Sequence, residues 1–282
     1  MVPAPHDLPH PRTEAAPLPS PGAGAAAVEP SRVLAARRHL VALPGRQRHA
    51  TAVGGDAERV VRRAGRVHVG AAVGTATALA SEPVRALLPL VAAALARSCR
   101  PPVRDRETVV GSLCCADPAS ALTAAAVALD AEFTVARADG GTSVVPAAEF
   151  FLHPLRVALP PGAAVVDVSF PVAGPGATAG LHQLCRSTCD GPHVTAAAQL
   201  TVTGGEVSDA RVAVVGAGSR AVRVPAVEAA LTGRPLTADR LRAAARLAEG
   251  AGRRFAVGRR GREFTVVVAR ALRTAADLSP AW

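Results

Sequence analysis

A short polar stretch near the middle of the chain carries residue types that bind phosphate. Thr108, Gly111 and Ser112 lie close together, and Asp117 follows them. Small residues let a ligand approach the main chain, and backbone N–H groups in such a turn can converge on an anion. Threonine and serine hydroxyl groups can donate further hydrogen bonds to phosphate oxygens. The stretch is therefore interpreted as a tight phosphate-binding turn followed by a helix over 119–129.

The sequence upstream and downstream predicts elements that would hold this turn. Alternating apolar residues, turn residues and proline positions indicate the boundaries. The predicted upstream elements are a strand over 66–71 and helices over 75–81 and 83–95. Downstream, the segments 132–136 and 142–145 flank Asp139-Gly140-Gly141, which is typical of a β-hairpin.

The second half of the chain predicts a smaller sheet with helices after it. The predicted strands are 195–203 and 207–215, and the predicted helices are 225–231, 238–249 and 262–274. The segment 171–180 is rich in glycine and proline, so a domain boundary is expected there. A GxGxxA pattern at 216–221 would need a helix starting at its glycines to bind a dinucleotide. Pro225 indicates a later helix start, so this pattern is not interpreted as a dinucleotide site.

The amino-acid composition limits the classes of protein to which this chain can belong. The chain has 282 residues, of which 49% are hydrophobic and 19% charged, which is typical of a globular protein. No apolar run is long enough to cross a membrane, and no secretion signal is recognised, so a cytoplasmic protein is expected. The net charge of +10 is carried by scattered arginines with few aromatic residues between them. This scatter argues against nucleic-acid binding.

The five cysteines do not indicate a metal site. They occur at positions 99, 114, 115, 185 and 189, with no CxxC pair among them. Structural zinc or a cysteine-ligated iron–sulfur cluster is therefore not expected, and reduced thiols are.

Residues 103–122 resemble the second nucleotide-binding loop of a flavoprotein family. The family is the FAD-binding medium subunit of molybdenum hydroxylases, of the carbon monoxide dehydrogenase and xanthine dehydrogenase type. Its loop reads roughly Arg-Asn-x-x-Thr-(Ile/Val)-Gly-Gly-(Asn/Ser)-Leu-x-x-Ala-Asp-Pro-Ala-Ser-Asp. The chain reads Arg-Asp-Arg-Glu-Thr-Val-Val-Gly-Ser-Leu-Cys-Cys-Ala-Asp-Pro-Ala-Ser-Ala over 104–121. The segments 222–236 and 259–272 resemble the C-terminal domain of the same proteins.

The resemblance implies an α+β protein in two parts. The first is a two-part FAD-binding, PCMH-type α/β domain over residues 1–172, in which residues 1–31 are degenerate or flexible. The second is a small CO dehydrogenase flavoprotein-like C-terminal α+β domain over residues 178–276. This domain is expected to have a three-stranded type of antiparallel sheet with helices.

The resemblance also implies an oxidoreductase subunit that binds FAD. In such enzymes a large subunit carries a molybdenum cofactor and a small subunit carries two [2Fe–2S] clusters. These two subunits are the expected partners, and FAD is the cofactor expected in this chain. The protein supplies placement and electrostatics, so no catalytic side chain is expected. The positions implied to bind FAD are Gly24, Ala25, Thr108, Val109, Val110, Gly111, Ser112 and Asp117.

Three departures from the family pattern bear on FAD. Val110 replaces a glycine, and a β-branched residue resists positive φ and hinders close approach of a phosphate. Ala121 occupies the place of a family carboxylate, and Gln183 that of a lysine that contacts the cofactor. Three hypotheses therefore stay open: a working FAD subunit, a flavin-free structural subunit of the same kind of complex, and an arginine-rich nucleic-acid-binding protein.

Overall fold

The structure is a computed structural model that describes residues 50–51, 55–97, 107–117, 120–153, 155–185, 192–216, 219–250 and 261–277. The strands are β1 Ala50–Thr51, β2 Val60–Arg63, β3 Arg66–Gly70, β4 Glu132–Ala136, β5 Thr142–Pro146, β6 Phe151–His153, β7 Arg156–Val157, β8 Ala164–Pro171, β9 Ala177–Cys185, β10 Pro192–Thr203, β11 Glu206–Gly216, β12 Ser219–Arg223 and β13 Arg234–Pro235. The helices are α1 Thr75–Ala80, α2 Glu82–Leu87, α3 Pro89–Arg97, α4 Val109–Cys114, α5 Ala121–Ala128, α6 Ala147–Phe150, α7 Pro225–Leu231, α8 Ala238–Arg246 and α9 Gly261–Asp277.

The first sheet has the strand order β2-β3-β8-β4-β5, and all neighbours in this order are antiparallel. The two-residue strand β1 joins it in parallel beside β8. The hairpin of β4 and β5 confirms the prediction, and Gly140 takes a φ of +88° in its turn. Glycine adopts this left-handed conformation without the steric cost of a Cβ atom.

One expected helix, 83–95, is two helices in the structure. α2 ends at Leu87, and Leu88 leaves the helical region with a φ of −131° and a ψ of 64°. Pro89 then begins α3. The ring of a proline disfavours the helical conformation in the residue before it, which explains the break.

The second sheet has the order β12-β11-β10-β9, with β13 also paired to β11. The sequence predicted a three-stranded type, and the described sheet has five strands, β9 to β13. β11 ends at Gly216, and its antiparallel partner β12 begins at Ser219, so the described residues of the GxGxxA pattern lie in strands rather than in a helix. This confirms that the pattern is not a dinucleotide fingerprint. The segment expected to be a linker is shorter than predicted, because β9 begins at Ala177.

The second sheet is covered on both faces. Alternation along β10 directs Ala196, Ala198 and Leu200 into a core shared with α7, α8 and α9. Ala197, on the opposite face, belongs to the core that also contains the first sheet. Helix α5 is buried along its whole length in that core. The two sheets therefore share a continuous core. No helix of the described residues is long and apolar enough to cross a membrane.

A cluster of charged side chains reinforces this contact between the two halves of the fold. Asp130 follows α5, and its Oδ2 accepts hydrogen bonds from Arg211 at 2.8 Å and from Arg223 at 2.6 Å. Glu228 binds Arg223 through both carboxylate oxygens and also accepts the N–H of Val212 at 2.8 Å. Burial opposes the charge of Arg223, but the contacts with Glu228 and Asp130 outweigh it and raise its pKa.

We expect Asp130→Ala to lower the free energy of unfolding by about 1 kcal/mol, because it leaves two guanidinium groups without their shared carboxylate. The Asp130 side chain is half exposed, so the loss should shrink as salt is added. Denaturant unfolding at low and high salt measures both effects. The matched control is Asp239→Ala, which removes an exposed ion pair with Arg242 and should change stability little. Equal losses in the two variants would contradict a role for the cluster.

Candidate functional site

The predicted phosphate turn is the first turn of helix α4. Thr108 is the N-cap of this helix, with an extended backbone at φ −89° and ψ 155°, and its Oγ1 accepts a hydrogen bond from the N–H of Gly111 at 2.9 Å. A threonine side chain in this position satisfies one of the N–H groups that the first turn leaves without a helical partner. The expectation of a turn is corrected here, because four buried apolar residues pack the segment as a helix.

Helix α4 has a buried face and an open face. Val109, Val110, Leu113 and Cys114 are all completely buried. Thr108, Gly111, Ser112 and Cys115 are half-buried. Their spacing of i, i+3, i+4 and i+7 places these four residues along one side of the helix. The small and hydroxyl-bearing residues of the segment therefore share the open face.

This geometry removes the expected obstacle at Val110. Val110 is absent from the described residues with positive φ, so its backbone is not strained by the β-branched side chain. Its side chain points into the core, away from the open face of α4. Val109 is buried in the same way, so neither valine offers a side chain to a ligand. Only their backbone groups remain as candidates for contact, and the N–H of Val109 already donates to the carbonyl of Val73.

Hydrogen bonds fasten the start of α4 to the segment before α1. The N–H of Val109 donates to the carbonyl of Val73 at 3.0 Å, and the N–H of Thr75 donates to the carbonyl of Glu107 at 2.9 Å. The hydroxyl of Thr75 donates to the same carbonyl at 3.0 Å. These bonds fix the position of the N-cap against the first half of the fold.

The end of α4 is held by a second set of bonds. Ala116 takes a φ of +46°, which terminates the helix, and its carbonyl accepts from the N–H of Leu155 at 2.9 Å. Asp117 follows, half-buried, and its carbonyl accepts from the N–H of Ser120, the N-cap of α5. Asp117 therefore follows the open face of α4 directly in the sequence. Gly24 and Ala25, the remaining predicted positions, lie outside the described residues.

The two other substituted positions lie in packed surroundings. Ala121 is in the first turn of α5 and is 3% exposed. Gln183 lies in β9, and its Nε2 donates to the hydroxyl of Thr195 at 3.2 Å. Neither position presents a charged group to a ligand. Whatever anion binding the site provides must come from N–H and O–H donors.

The buried thiol of Cys114 is not placed to act as a nucleophile, and the described residues form no metal centre. Burial raises the pKa of Cys114 far above its usual value, because the thiolate would lose its hydration. Cys114, Cys115 and Cys185 are free cysteines in the described part of the chain. Within the described ranges, no three His, Cys, Asp or Glu side chains lie close enough to hold a metal ion.

The open face of α4 can therefore bind and orient a ligand through the hydroxyl groups of Thr108 and Ser112. The Thr108 hydroxyl accepts from Gly111 and still has its own O–H to donate. A Cβ atom at position 111 would lie 2.8 Å from Thr108 Oγ1, so only glycine keeps this cap undisturbed. The donor set suits a phosphate or a polar cofactor segment.

The sequence interpretation missed the division of this segment into two faces. The signal was present, since apolar residues at 109, 110, 113 and 114 alternate with small or polar residues at 108, 111, 112 and 115. That pattern has the period of a helix. The segment is short and contains a glycine, so its helical pattern was not recognised.

Comparisons with known proteins identify both halves of the chain. The family model for the FAD binding domain in molybdopterin dehydrogenase matches residues 55–173. The family model for the CO dehydrogenase flavoprotein C-terminal domain matches residues 179–274. The first match contains helix α4 and Asp117, and the second contains β9 to β13 and α7 to α9.

The chain is similar to subunits of two known dehydrogenases. The alpha subunit of the 6-hydroxypseudooxynicotine dehydrogenase complex of Paenarthrobacter nicotinovorans is 31% identical, over 64% of this chain and 62% of that protein. The carbon monoxide dehydrogenase medium chain of Hydrogenophaga pseudoflava is 30% identical, over 66% of this chain and 65% of that protein. The matches thus span less than two thirds of the length of these curated relatives.

Solved structures confirm the fold. A carbon monoxide dehydrogenase from Hydrogenophaga pseudoflava has a chain with a TM-score of 0.72 and 27% identity, covering 79% of both chains. Quinoline 2-oxidoreductase from Pseudomonas putida 86 has a chain with a TM-score of 0.69 and 25% identity, again covering 79% of both chains.

Proposed function

The chain belongs to the family of FAD-binding medium subunits of molybdenum hydroxylases, and we propose on that basis that it is the FAD-binding subunit of such an oxidoreductase. In this role it passes electrons from the [2Fe–2S] clusters of a partner subunit through FAD to an external acceptor. The proposed partners are a large subunit with a molybdenum cofactor and a small subunit with the clusters. A cytoplasmic location is part of the same proposal.

The observation that carries the proposal is the open face of α4. It lies inside the segment that matches the FAD binding domain, and it presents Thr108, Gly111 and Ser112 on one side. Thr108 and Ser112 would hold a phosphate-bearing part of FAD through their hydroxyl groups, because the N–H groups of Gly111 and Ser112 already donate to Thr108. When bound, FAD supplies the redox chemistry itself, whereas the chain binds and orients it.

A second candidate is a flavin-free subunit of the same kind of complex. It is favoured by positions 121 and 183, where buried Ala121 and hydrogen-bonded Gln183 replace charged groups that the family resemblance implies. Each lost charge-assisted hydrogen bond weakens binding by about 1.5–3 kcal/mol. Two such losses reduce affinity by about 10²- to 10⁴-fold without altering the fold.

Flavin content separates these two candidates. The full chain is incubated with FAD, passed through a desalting column, and analysed for flavin absorbance and protein concentration. We expect close to one flavin per chain, with quenched flavin fluorescence that returns when the protein is denatured. A folded chain that retains no flavin, alone or with its two partner subunits, would reject the first candidate and support the second.

A further inference from the structure

Three basic side chains from three different elements lie near the edge strand of the second sheet: one arginine contacts the histidine directly, and the other lies close enough to lower its pKa. Arg97 is the last residue of α3, His182 lies in the edge strand β9, and Arg270 lies in α9. Both arginines are exposed, and the histidine is half-buried. The proposed FAD role uses none of these residues. We define Arg97, His182 and Arg270 as the basic triad.

The contact between two of the three residues determines the state of the imidazole. Nη1 of Arg270 lies 3.1 Å from Nε2 of His182. A guanidinium group only donates hydrogen bonds, so Nε2 must accept, and the ring proton must be on Nδ1. The contact therefore requires a neutral imidazole.

The surroundings of His182 keep it neutral. Burial lowers its pKa, and the positive charges of Arg270 and Arg97 lower it further. Ala196, its partner in the adjacent strand β10, carries no charge. The depressed pKa destabilises the fold on acidification, because the unfolded chain binds a proton that the folded chain resists. This loss begins as the pH falls through the usual range of histidine.

The triad has no compensating carboxylate among the described residues. On α9, Arg273 pairs with Asp277 at 3.9 Å, and this ion pair does not include Arg270. Neither Arg97 nor Arg270 is within ion-pair distance of an acidic side chain in the part of the chain that the structure describes. The two guanidinium groups repel each other, and they would also repel the imidazole if it were protonated. The positive charges of the triad therefore lack a neighbouring negative charge among the described residues.

We propose that the basic triad is a binding site for an oxyanion, the phosphate or carboxylate group of a ligand. Guanidinium groups present several N–H donors in a planar fork that matches both kinds of oxyanion. A bound anion would neutralise the repulsion between the arginines and favour the protonated imidazole, which then becomes a further donor. Because the donors come from α3, β9 and α9, an anion here would also bridge the two halves of the fold.

The pKa of His182 reports on occupancy without requiring FAD. Histidine ring signals are followed by NMR through a pH titration of the full chain in sodium chloride, inorganic phosphate or acetate at equal ionic strength, and His182→Gln assigns the signal. We expect the pKa to rise by about one unit and saturably with phosphate, which is the effect of a nearby opposite charge. A saturable rise with acetate as well extends the ligand class to carboxylates. No rise with either anion, relative to chloride, would overturn the proposal.

Three variants test the assignment of the donors. Arg270→Gln and Arg97→Gln should each reduce the anion-dependent rise, and the double variant should abolish it. The matched control is Arg240→Gln, an exposed arginine in α8 away from the triad. If the double variant and the control keep the same anion response, the anion acts elsewhere and the proposal is wrong. Circular dichroism verifies that each variant is folded, and none of these outcomes depends on the flavin content of the chain.

Discussion

Gly180→Ala is expected to lower the free energy of unfolding strongly, because the structure has no room for a single methyl group at this position. A Cβ atom there would lie 1.9 Å from the carbonyl oxygen of Ala271 and 2.6 Å from the backbone nitrogen of Ala275. Both atoms belong to the backbone of α9, which packs directly on β9. A side chain could rotate away from the clash, but the backbone of a hydrogen-bonded helix cannot.

The expected cost follows from the displacement of α9. Overpacking a core usually costs about 1–3 kcal/mol, and here the buried side chains of Val267, Val268 and Leu272 in α9 would also be displaced from the core of the second sheet. We expect the free energy of unfolding to fall by about 3 kcal/mol or more, a large part of the total of about 5–15 kcal/mol for a typical protein. Denaturant unfolding followed by circular dichroism measures the difference.

The control for Gly180 is another glycine with space for a methyl group. A Cβ atom at Gly174 would meet the Cγ2 of Thr201 at 3.4 Å, which is an ordinary contact, and its φ is not in the left-handed region. Gly174→Ala should change stability by no more than about 0.5 kcal/mol. If both variants unfold at the same denaturant concentration as the unaltered chain, the close packing of α9 on β9 is wrong.

Thr108→Val is expected to weaken FAD binding by about 10- to 100-fold. Valine has nearly the same shape, but it removes the hydroxyl that caps α4 and that can donate to the cofactor. A hydrogen bond to a charged group contributes about 1.5–3 kcal/mol, which corresponds to this loss in affinity. Loss of the cap should in addition lower stability by about 1 kcal/mol. Fluorescence titration with FAD and denaturant unfolding measure the two effects separately.

Two further variants test the role of the Thr108 hydroxyl. Thr108→Ser keeps the oxygen and should retain both the stability and the affinity, since serine is an equally good N-cap. Gly111→Ala keeps the hydroxyl but places a methyl group 2.8 Å from it, so it should lower stability and FAD affinity together. Unchanged FAD affinity in Thr108→Val would show that the open face of α4 does not bind the cofactor.

Much of the fold could be predicted from local sequence patterns. The hairpin of β4 and β5 follows from alternating residues around Asp139-Gly140-Gly141, and the bounds of α7 follow from Pro225 at its start. Two features differ from the sequence-based expectations. The helix over 83–95 divides at Pro89, because the proline disfavours the helical conformation of Leu88, and β12 pairs with β11 where no strand was predicted. Pairing between strands depends on contacts that the local pattern does not contain.

The candidate site was also predicted from the sequence only in part. The residue types at 108, 111 and 112 were sufficient to indicate phosphate binding and the family resemblance. The sequence could not show that Val110 points into the core, because that depends on the helical conformation of the segment and on what packs against it. Its apparent obstruction of the site disappears in the structure. The positions Gly24 and Ala25 remain predictions.

The sequence by itself determined the family, the two matched domains and the set of donors near Thr108, since these depend on residue identity and order along the chain. Only the tertiary structure decided which side of α4 is open, that Gly180 has no room for a side chain, and that Arg97, His182 and Arg270 meet. These three residues are separated by more than eighty positions at each step, and no local pattern relates them. Packing of α3 and α9 on the two faces of β9 brings the three basic residues near one another. The excess of positive charge at this place therefore exists only in the folded chain.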